Sequence, residues 1–225
     1  MSAPVSVIIP TLNAAQTLPR CLEALMPGLE AGLIRELIVC DGGSDDGTDA
    51  IAQAWGGEVF VVSPSRGGQL RKGCAAARGD WLLVLHADTA LGAGWAEVVS
   101  RHIRTSRKAA WFRLKFDSAG LPAALVAAWA NLRSGLGLPY GDQGLVVPRQ
   151  LYVETGGYPD IPLMEDVAIA RMLKGQLVGL PTAAVTSAAK FQQQGWLRRG
   201  ARNLWTLARY VAGTDPARLA RRYQK

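Results

Sequence analysis

The stretch Val5-Ser6-Val7-Ile8-Ile9-Pro10-Thr11-Leu12-Asn13 decides the fold class. Residues 5–9 form a short, mostly β-branched run that Pro10 closes. Such a run is too short for a helix and apolar enough for a strand covered on both faces. Working outward, residues 14–26 show helical spacing, and 36–40 are a second short run closed by Asp41-Gly42-Gly43-Ser44. Residues 49–55 read as helix, 58–62 as strand and 69–78 as a helix that Gly79 stops. A fourth apolar run, 81–85, ends at His86-Ala87-Asp88. Alternation of this kind predicts an α/β fold with a mostly parallel sheet flanked by helices. Ligands of such sheets bind beyond the carboxyl ends of the strands. That rule singles out Pro10-Thr11, Asp41, Pro64-Ser65-Arg66 and His86-Ala87-Asp88.

The second half is less regular. Residues 111–116 alternate as a half-exposed strand does, with Phe112, Leu114 and Phe116 against Arg113 and Lys115. An apolar helix is expected over 119–132, then the turn Gly141-Asp142-Gln143-Gly144 and a short strand to residue 147. Gly156-Gly157-Tyr158-Pro159 makes a further turn, and a helix opens at Met164-Glu165-Asp166.

Composition bounds the class. Of 225 residues, 49% are hydrophobic and 19% charged, which supports a sizeable core and excludes a disordered or fibrous chain. Cys21, Cys40 and Cys74 share no metal-ligand spacing and read as buried free thiols of a reducing compartment. The net charge of +7 is unevenly spread. Residues 1–189 carry 16 Lys and Arg against 17 Asp and Glu, whereas 190–225 carry 9 against 1. The body is therefore balanced, which argues against nucleic acid as the partner of its main cleft. The expected organisation is a catalytic domain over 1–190 with a basic helical extension over 191–225. Residues 1–4 lack the basic start of a signal peptide, and the longest apolar stretch, 119–132, is shorter than the roughly 20 residues of a membrane span. A cytoplasmic protein is expected.

Several groups can carry chemistry. In Asp41-Gly42-Gly43-Ser44-Asp45-Asp46-Gly47-Thr48, Ser44 or Asp46 suits a helix cap, while Asp41 sits where a strand-tip carboxylate can accept hydrogen bonds from a nucleobase or ribose. Gly67-Gly68 at a helix start, with Arg66, Arg71 and Lys72 nearby, suits an anion, and Arg66 or Arg71 can reach a diphosphate. Asp88 at the fourth strand tip suits Mg²⁺ or Mn²⁺, whose shell phosphate oxygens and water would complete. His86 reads as a ligand, a hydrogen-bond donor to one, or the end of a strand. Glu165 and Asp166 stabilise a helix dipole or supply a general base.

Taken together these segments resemble family 2 glycosyltransferases of the GT-A fold. Residues 7–13 are similar to the family's opening strand, 41–48 to its Asp-Asp-Gly-Ser-x-Asp-Gly-Thr element, 85–89 to its Asp-x-Asp metal motif and 165–166 to its Glu-Asp motif. The Leu85-His86-Ala87-Asp88-Thr89 form resembles small bacterial transferases named for association with radical-SAM and selenium-domain proteins. The resemblance implies that Pro10, Thr11 and Asp41 line the base and ribose pocket, that Arg71 lies near the nucleotide, that Asp88 holds the metal and that Asp166 is the base. His86 replaces the first Asp of Asp-x-Asp, so one carboxylate is left for the metal. Gly42 replaces the second Asp of the earlier element. A Gln-x-x-Arg-Trp motif is missing, which implies transfer of a single sugar.

The expectation is thus an inverting, non-processive, nucleotide-sugar-dependent transferase acting on an acceptor hydroxyl, a lipid-linked one included. A nucleotidyltransferase would carry a Gly-rich basic loop after the first strand, where Pro10-Thr11-Leu12-Asn13 stands. The other alternative is a non-catalytic membrane-surface or nucleotide-binding module. In the tail, Trp196, Leu197, Ala201, Leu204, Trp205, Ala208 and Val211 recur at three- and four-residue spacing among arginines. That stripe fits either an interfacial helix on an anionic membrane or a helix packed on the domain.

Overall fold

The computed structural model describes residues 3–223. Its strands are β1 (Val5–Thr11), β2 (Ile34–Asp41), β3 (Glu58–Val61), β4 (Trp81–Val84), β5 (Thr89–Leu91), β6 (Ala109–Phe116), β7 (Leu145–Pro148) and β8 (Leu177–Thr186). They form one sheet in the order β3-β2-β1-β4-β7-β6-β8-β5. The first four pair in parallel, as the alternating pattern predicts. Beyond β4 the sheet is mixed, because β7 runs antiparallel to both β4 and β6 while β6 and β8 run parallel. Strands β5 and β8 are additions to the sequence reading.

Alternate residues of β1 explain its continuous apolar run. Val7 and Ile9 face one core with Leu18, Leu22, Trp95 and Phe112, whereas Ile8 faces a second with Leu70, Leu82 and Leu173. Helices α1 (Leu18–Glu23), α2 (Met26–Glu30), α3 (Thr48–Ala54), α4 (Arg66–Ala76) and α5 (Trp95–Thr105) connect the first half. The single helix expected over 14–26 is two, with Pro19 and Pro27 each in a first turn, where proline needs no partner for its missing N–H. Cys21, Cys40 and Cys74 are buried and free, and burial pushes each thiol up to about 12.

Helices α6 (Leu121–Gly135), α7 (Arg149–Glu154), α8 (Glu165–Met172), α9 (Ala189–Gln194), α10 (Trp196–Val211) and α11 (Pro216–Tyr223) complete the chain. The division expected at residue 190 falls inside α9. Trp196 stacks on Phe191, and both rings meet Phe116 of β6. The tail therefore packs on the domain, but not through the whole stripe read from its spacing. Phe191, Thr206 and Leu219 are buried in it, while Leu197 is 90% exposed and Trp205 64%. Among the described residues no helix is long and apolar enough to cross a membrane.

Candidate active site

The tips of β1 and β2 are laced together. Asp41 is buried, and its carboxylate accepts hydrogen bonds from Thr11 Oγ1 (2.7 Å), Ser44 Oγ (2.6 Å) and the backbone N–H groups of Gly43 (2.9 Å) and Ser44 (2.7 Å). Burial raises its pKa, but these bonds outweigh that and hold it below the usual carboxylate range. All the lone pairs of Asp41 are thus committed within the protein, and Pro10 and Thr11 beside it are buried. Gln69 Nε2 donates to the carbonyls of Thr11 and Cys40, both at 2.7 Å, so α4 clamps the two tips. Ser44 accepts from Asn13 N–H, and Asp46 from Ala15 and Thr48 N–H; Gly47 holds the N-cap position of α3, which has no side-chain cap.

The start of α4 also departs from expectation. The Gly67 N–H donates to the Ile161 carbonyl (3.1 Å), and the Gly68 N–H to Ser65 Oγ (3.4 Å), which itself donates to Asp160 (2.6 Å). A Cβ on Gly67 would collide with the Pro159 carbonyl oxygen. The glycine pair is therefore a seat for loop 159–161, and its amides are already used. Arg66 is the cation of this helix that reaches the site, with Nε 3.6 Å from Glu165. Arg71 is exposed and lies off the cavity, on the side of Tyr152.

At the carboxyl end of β4 lies a cavity of about 170 Å³ lined by Arg66, His86, Asp88, Asp142, Glu165 and Asp166, among others. Here the structure brings together five residues that the sequence singled out in three separate segments: Arg66, His86 with Asp88, and Glu165 with Asp166. Glu165 and Asp166 enter from the first turn of α8, preceded by Met164 in a left-handed conformation (φ 68°). A non-glycine residue held there is strained, and such strain gathers at functional sites. Asp166 Oδ2 accepts from Gly141 N–H (2.8 Å) and Oδ1 from Val167 N–H (2.7 Å). A Cβ on Gly141 would run into Nε2 of His86, so the missing side chain is what lets the imidazole stand beside this turn.

The electrostatics follow from burial. Glu165 is 1% exposed, and burial, reinforced by Asp166 and opposed by Arg66, lifts its carboxyl to about 7. Neither Glu165 oxygen has a hydrogen-bond partner among the described residues. His86 is pushed down to about 4 by burial and by Arg66, against Asp88 and Asp166, so its imidazole is neutral at pH 7. Asp142 is lifted to about 6 by burial, with Arg133 opposing and Asp166 adding. No cluster of three His, Cys, Asp or Glu side chains arranged for a metal exists among the described residues.

Asp142 is the residue that sequence reading missed. In sequence it is one member of a polar turn, with nothing to mark it as a cavity carboxylate whose Oδ1 is buried without a hydrogen-bond partner among the described residues. Arg199 and Asn203 of α10 also line the cavity, so the basic tail supplies part of its wall.

Comparison with known proteins agrees with this architecture. Two mycobacterial relatives align over the chain in part. The PGL/p-HBAD biosynthesis glycosyltransferase of Mycobacterium tuberculosis (strain ATCC 25177 / H37Ra) is 38% identical over 99 residues, 40% of this chain and 38% of the relative. The glucosyl-3-phosphoglycerate synthase of Mycolicibacterium paratuberculosis is 33% identical over 93 residues, 37% of this chain and 28% of the relative. The matches thus span less than two fifths of these curated relatives. Among solved structures, S. aureus TarS 1-349 in complex with UDP is similar with a TM-score of 0.61 at 16% identity, over 84% of this chain and 62% of that one. The M. tuberculosis glucosyl-3-phosphoglycerate synthase in complex with Mn²⁺, UDP and phosphoglyceric acid gives 0.57 at 22%, over 82% and 69%. At these identities the likeness speaks for the fold. The profile of glycosyl transferase family 2 matches residues 6–126, more than half of the sequence, and with the GT-A-like sheet in place the chain belongs to glycosyl transferase family 2.

Proposed function

We propose that the chain is an inverting, non-processive glycosyltransferase that moves one sugar from a nucleotide-diphospho-sugar to an acceptor hydroxyl. The observation that carries this reading is the shared cavity. Asp88, Asp166 and Arg66, from three separate elements, line one space at the carboxyl end of the parallel strands. Asp166 takes the proton of the acceptor hydroxyl as its oxygen bonds to the anomeric carbon. The bond from that carbon to the diphosphate breaks on the opposite face, and its electron pair leaves with the phosphate oxygen. Arg66 faces the developing negative charge. The nucleoside lies against the tips of β1 and β2, whose shape Asp41 and Thr11 hold. Residues 1–190 form the catalytic unit and 191–225 the extension that adds a wall to the site.

The donor set suits Mg²⁺ or Mn²⁺. Asp88 offers a hard oxygen ligand and neutral His86 a ring nitrogen, and Oδ1 of Asp142, buried without a hydrogen-bond partner among the described residues, belongs to the same cavity. With few protein ligands, such an ion relies on phosphate oxygens and water. When bound it would neutralise charge on the leaving diphosphate.

The acceptor is assigned to the cytoplasmic face of a membrane, on which 196–225 would rest. The outward Leu197, Trp205 and Val211, in a segment rich in arginine, support this. Co-sedimentation with phosphatidylglycerol vesicles at low salt tests it: native protein should pellet, Leu197→Ser/Trp205→Ser much less, and failure of native protein to pellet refutes it.

The activity is tested with a panel of UDP-, GDP- and dTDP-sugars, with and without Mn²⁺. One donor should raise the melting temperature, since a ligand that binds only the native state stabilises it. The same donor should release its nucleoside diphosphate and give a product of inverted anomeric configuration. No thermal shift with any donor, or retention of configuration, would refute the reading.

A further inference from the structure

A second crevice runs between α6 and α10 and opens onto the same cavity. Its apolar lining comprises Leu114, Phe116, Val126, Trp129, Phe191 and Leu204. Its polar end, on the side shared with the cavity, holds Arg133, Tyr140 and Asp142. Phe116, Tyr140, Asp142, Phe191 and Asn203 line both spaces, so the crevice leads from the surface to the carboxylates. The apolar lining continues outward over α6, where Leu125 is 69% exposed, Trp129 51% and Leu132 60%. Exposed apolar side chains grouped on one face mark a binding surface more often than scattered ones do.

The polar end holds an independent sign of a ligand. Arg133 is 7% exposed and its Nη1 has no hydrogen-bond partner among the described residues, although its guanidinium lies over the Tyr140 ring at 3.2 Å. Asp142 Oδ1 is likewise buried without a partner. Each of the two groups could satisfy the other, yet no ion pair within 4.0 Å joins them among the described residues. Buried donors and acceptors are costly to leave unmade, so a buried cation and a carboxylate held apart suit a polar group between them.

We propose that this crevice binds a single-chain amphiphile as the acceptor, its apolar chain between α6 and α10 and its polar end between Arg133 and Asp142. In that pose the reacting hydroxyl enters the cavity beside Asp142 and Asp166. The role as acceptor rests on the transferase reading; the binding of an apolar chain with a polar end does not. Arg133 supplies N–H donors to a phosphate or hydroxyl oxygen, and the apolar wall supplies burial that grows with chain length.

Isothermal titration with n-decyl phosphate, inorganic phosphate and n-octyl glucoside below its micelle concentration tests the proposal. Decyl phosphate should bind at least tenfold more tightly than inorganic phosphate. Gly200 lies in the crevice, and a Cβ there meets nothing within 4 Å, so Gly200→Leu fills the space without a backbone collision. It should weaken both chain probes at least tenfold. Leu204→Glu, at a position already 43% exposed, provides a second variant with the same expectation. Arg133→Gln should weaken decyl phosphate tenfold and octyl glucoside less than twofold. Equal affinity of decyl and inorganic phosphate, or of native and both crevice variants for the chain probes, overturns the proposal. Chain probes that bind as expected, in a protein that no sugar nucleotide stabilises, would uphold the crevice and remove the transferase reading.

Discussion

Asp166 Oδ2 accepts a 2.8 Å hydrogen bond from the backbone N–H of Gly141, which ties the first turn of α8 to the turn beside His86. Its other oxygen accepts from Val167 N–H, so two amides fix the plane of the carboxylate. Each oxygen keeps a lone pair, which is what a base aimed at an acceptor hydroxyl requires.

Asp166→Asn tests that role. The amide keeps the shape but has one acceptor oxygen for two N–H donors and cannot take a proton. Transfer should fall by roughly 10²–10⁴-fold while donor binding persists. The melting temperature should drop by a few degrees for the lost hydrogen bond, worth about 1 kcal/mol. Glu165→Gln should lower transfer less, because Glu165 is held against Arg66. Steady-state kinetics on both variants decide it: the opposite order of severity moves the base to Glu165.

Asp88, in the turn between β4 and β5, is a carboxylate that lines the cavity together with Arg66. Asp88→Ala should cut turnover by a factor on the order of 10² or more, if metal-assisted departure of the diphosphate contributes several kcal/mol. Metal titration of the remaining activity is the measurement. Full, metal-dependent turnover in the variant would remove Asp88 from this role.

The buried carboxyl of Glu165 gives a pH signature. Its folded value of about 7 lies above its ordinary 4.5, so between these values the native state holds a proton that the unfolded chain has lost. Its contribution to stability is present below about pH 4.5 and is lost as pH rises to 7, by an amount on the order of a few kcal/mol. Asp142, raised to about 6, acts in the same direction; His86, lowered to about 4, acts against them as pH rises from 4 to 6.5. Glu165→Gln removes only the first of these. Thermal melts should show the variant close to native protein at pH 5 and more stable than native at pH 8. A variant less stable than native at pH 8 would contradict this.

The legible parts of the molecule are those fixed by local pattern. The runs 5–9, 36–40 and 81–85 became β1, β2 and β4 because their residues alternate between two buried faces, which demands apolar side chains throughout. The rule that ligands lie beyond such strands placed Asp88 at the cavity. Strand β8 escaped because Gly179 and Pro181 interrupt its pattern, although its pairing with β6 and β5 sustains it. Asp41 and Gly67 stand by type and position where ligand groups would, but protein partners already use them: Gly43 and Ser44 of the same turn, joined by Thr11 from 30 residues away, fill Asp41, and Gly67 donates to loop 159–161, more than 90 residues on. Helix α10 shows the same limit, since spacing defines a stripe without saying which side meets the domain.

Gly67 and Gly68 separate backbone from side-chain constraint, and they allow a paired test. A Cβ at Gly67 meets the carbonyl oxygen of Pro159 and the backbone of Ile161, which cannot swing aside. At Gly68 it meets the Asp160 carboxylate at 2.6 Å, the far end of a side chain that can rotate away. Gly67→Ala should therefore cost about 1–3 kcal/mol, a drop of roughly 2–10 °C in melting temperature. Gly68→Ala should be nearly neutral, because the gain in helix propensity offsets the loss of the Asp160 contact. Loop 159–161 leads directly into Met164-Glu165-Asp166, so displacing it also displaces the base. Gly67→Ala should then lower turnover more than donor affinity, whereas Gly68→Ala should change neither by more than about twofold, within the spread of a minor surface change. Thermal melts and kinetics on the two variants provide the readout. Equal effects of both would show that loop 159–161 yields to either side chain and does not position Asp166.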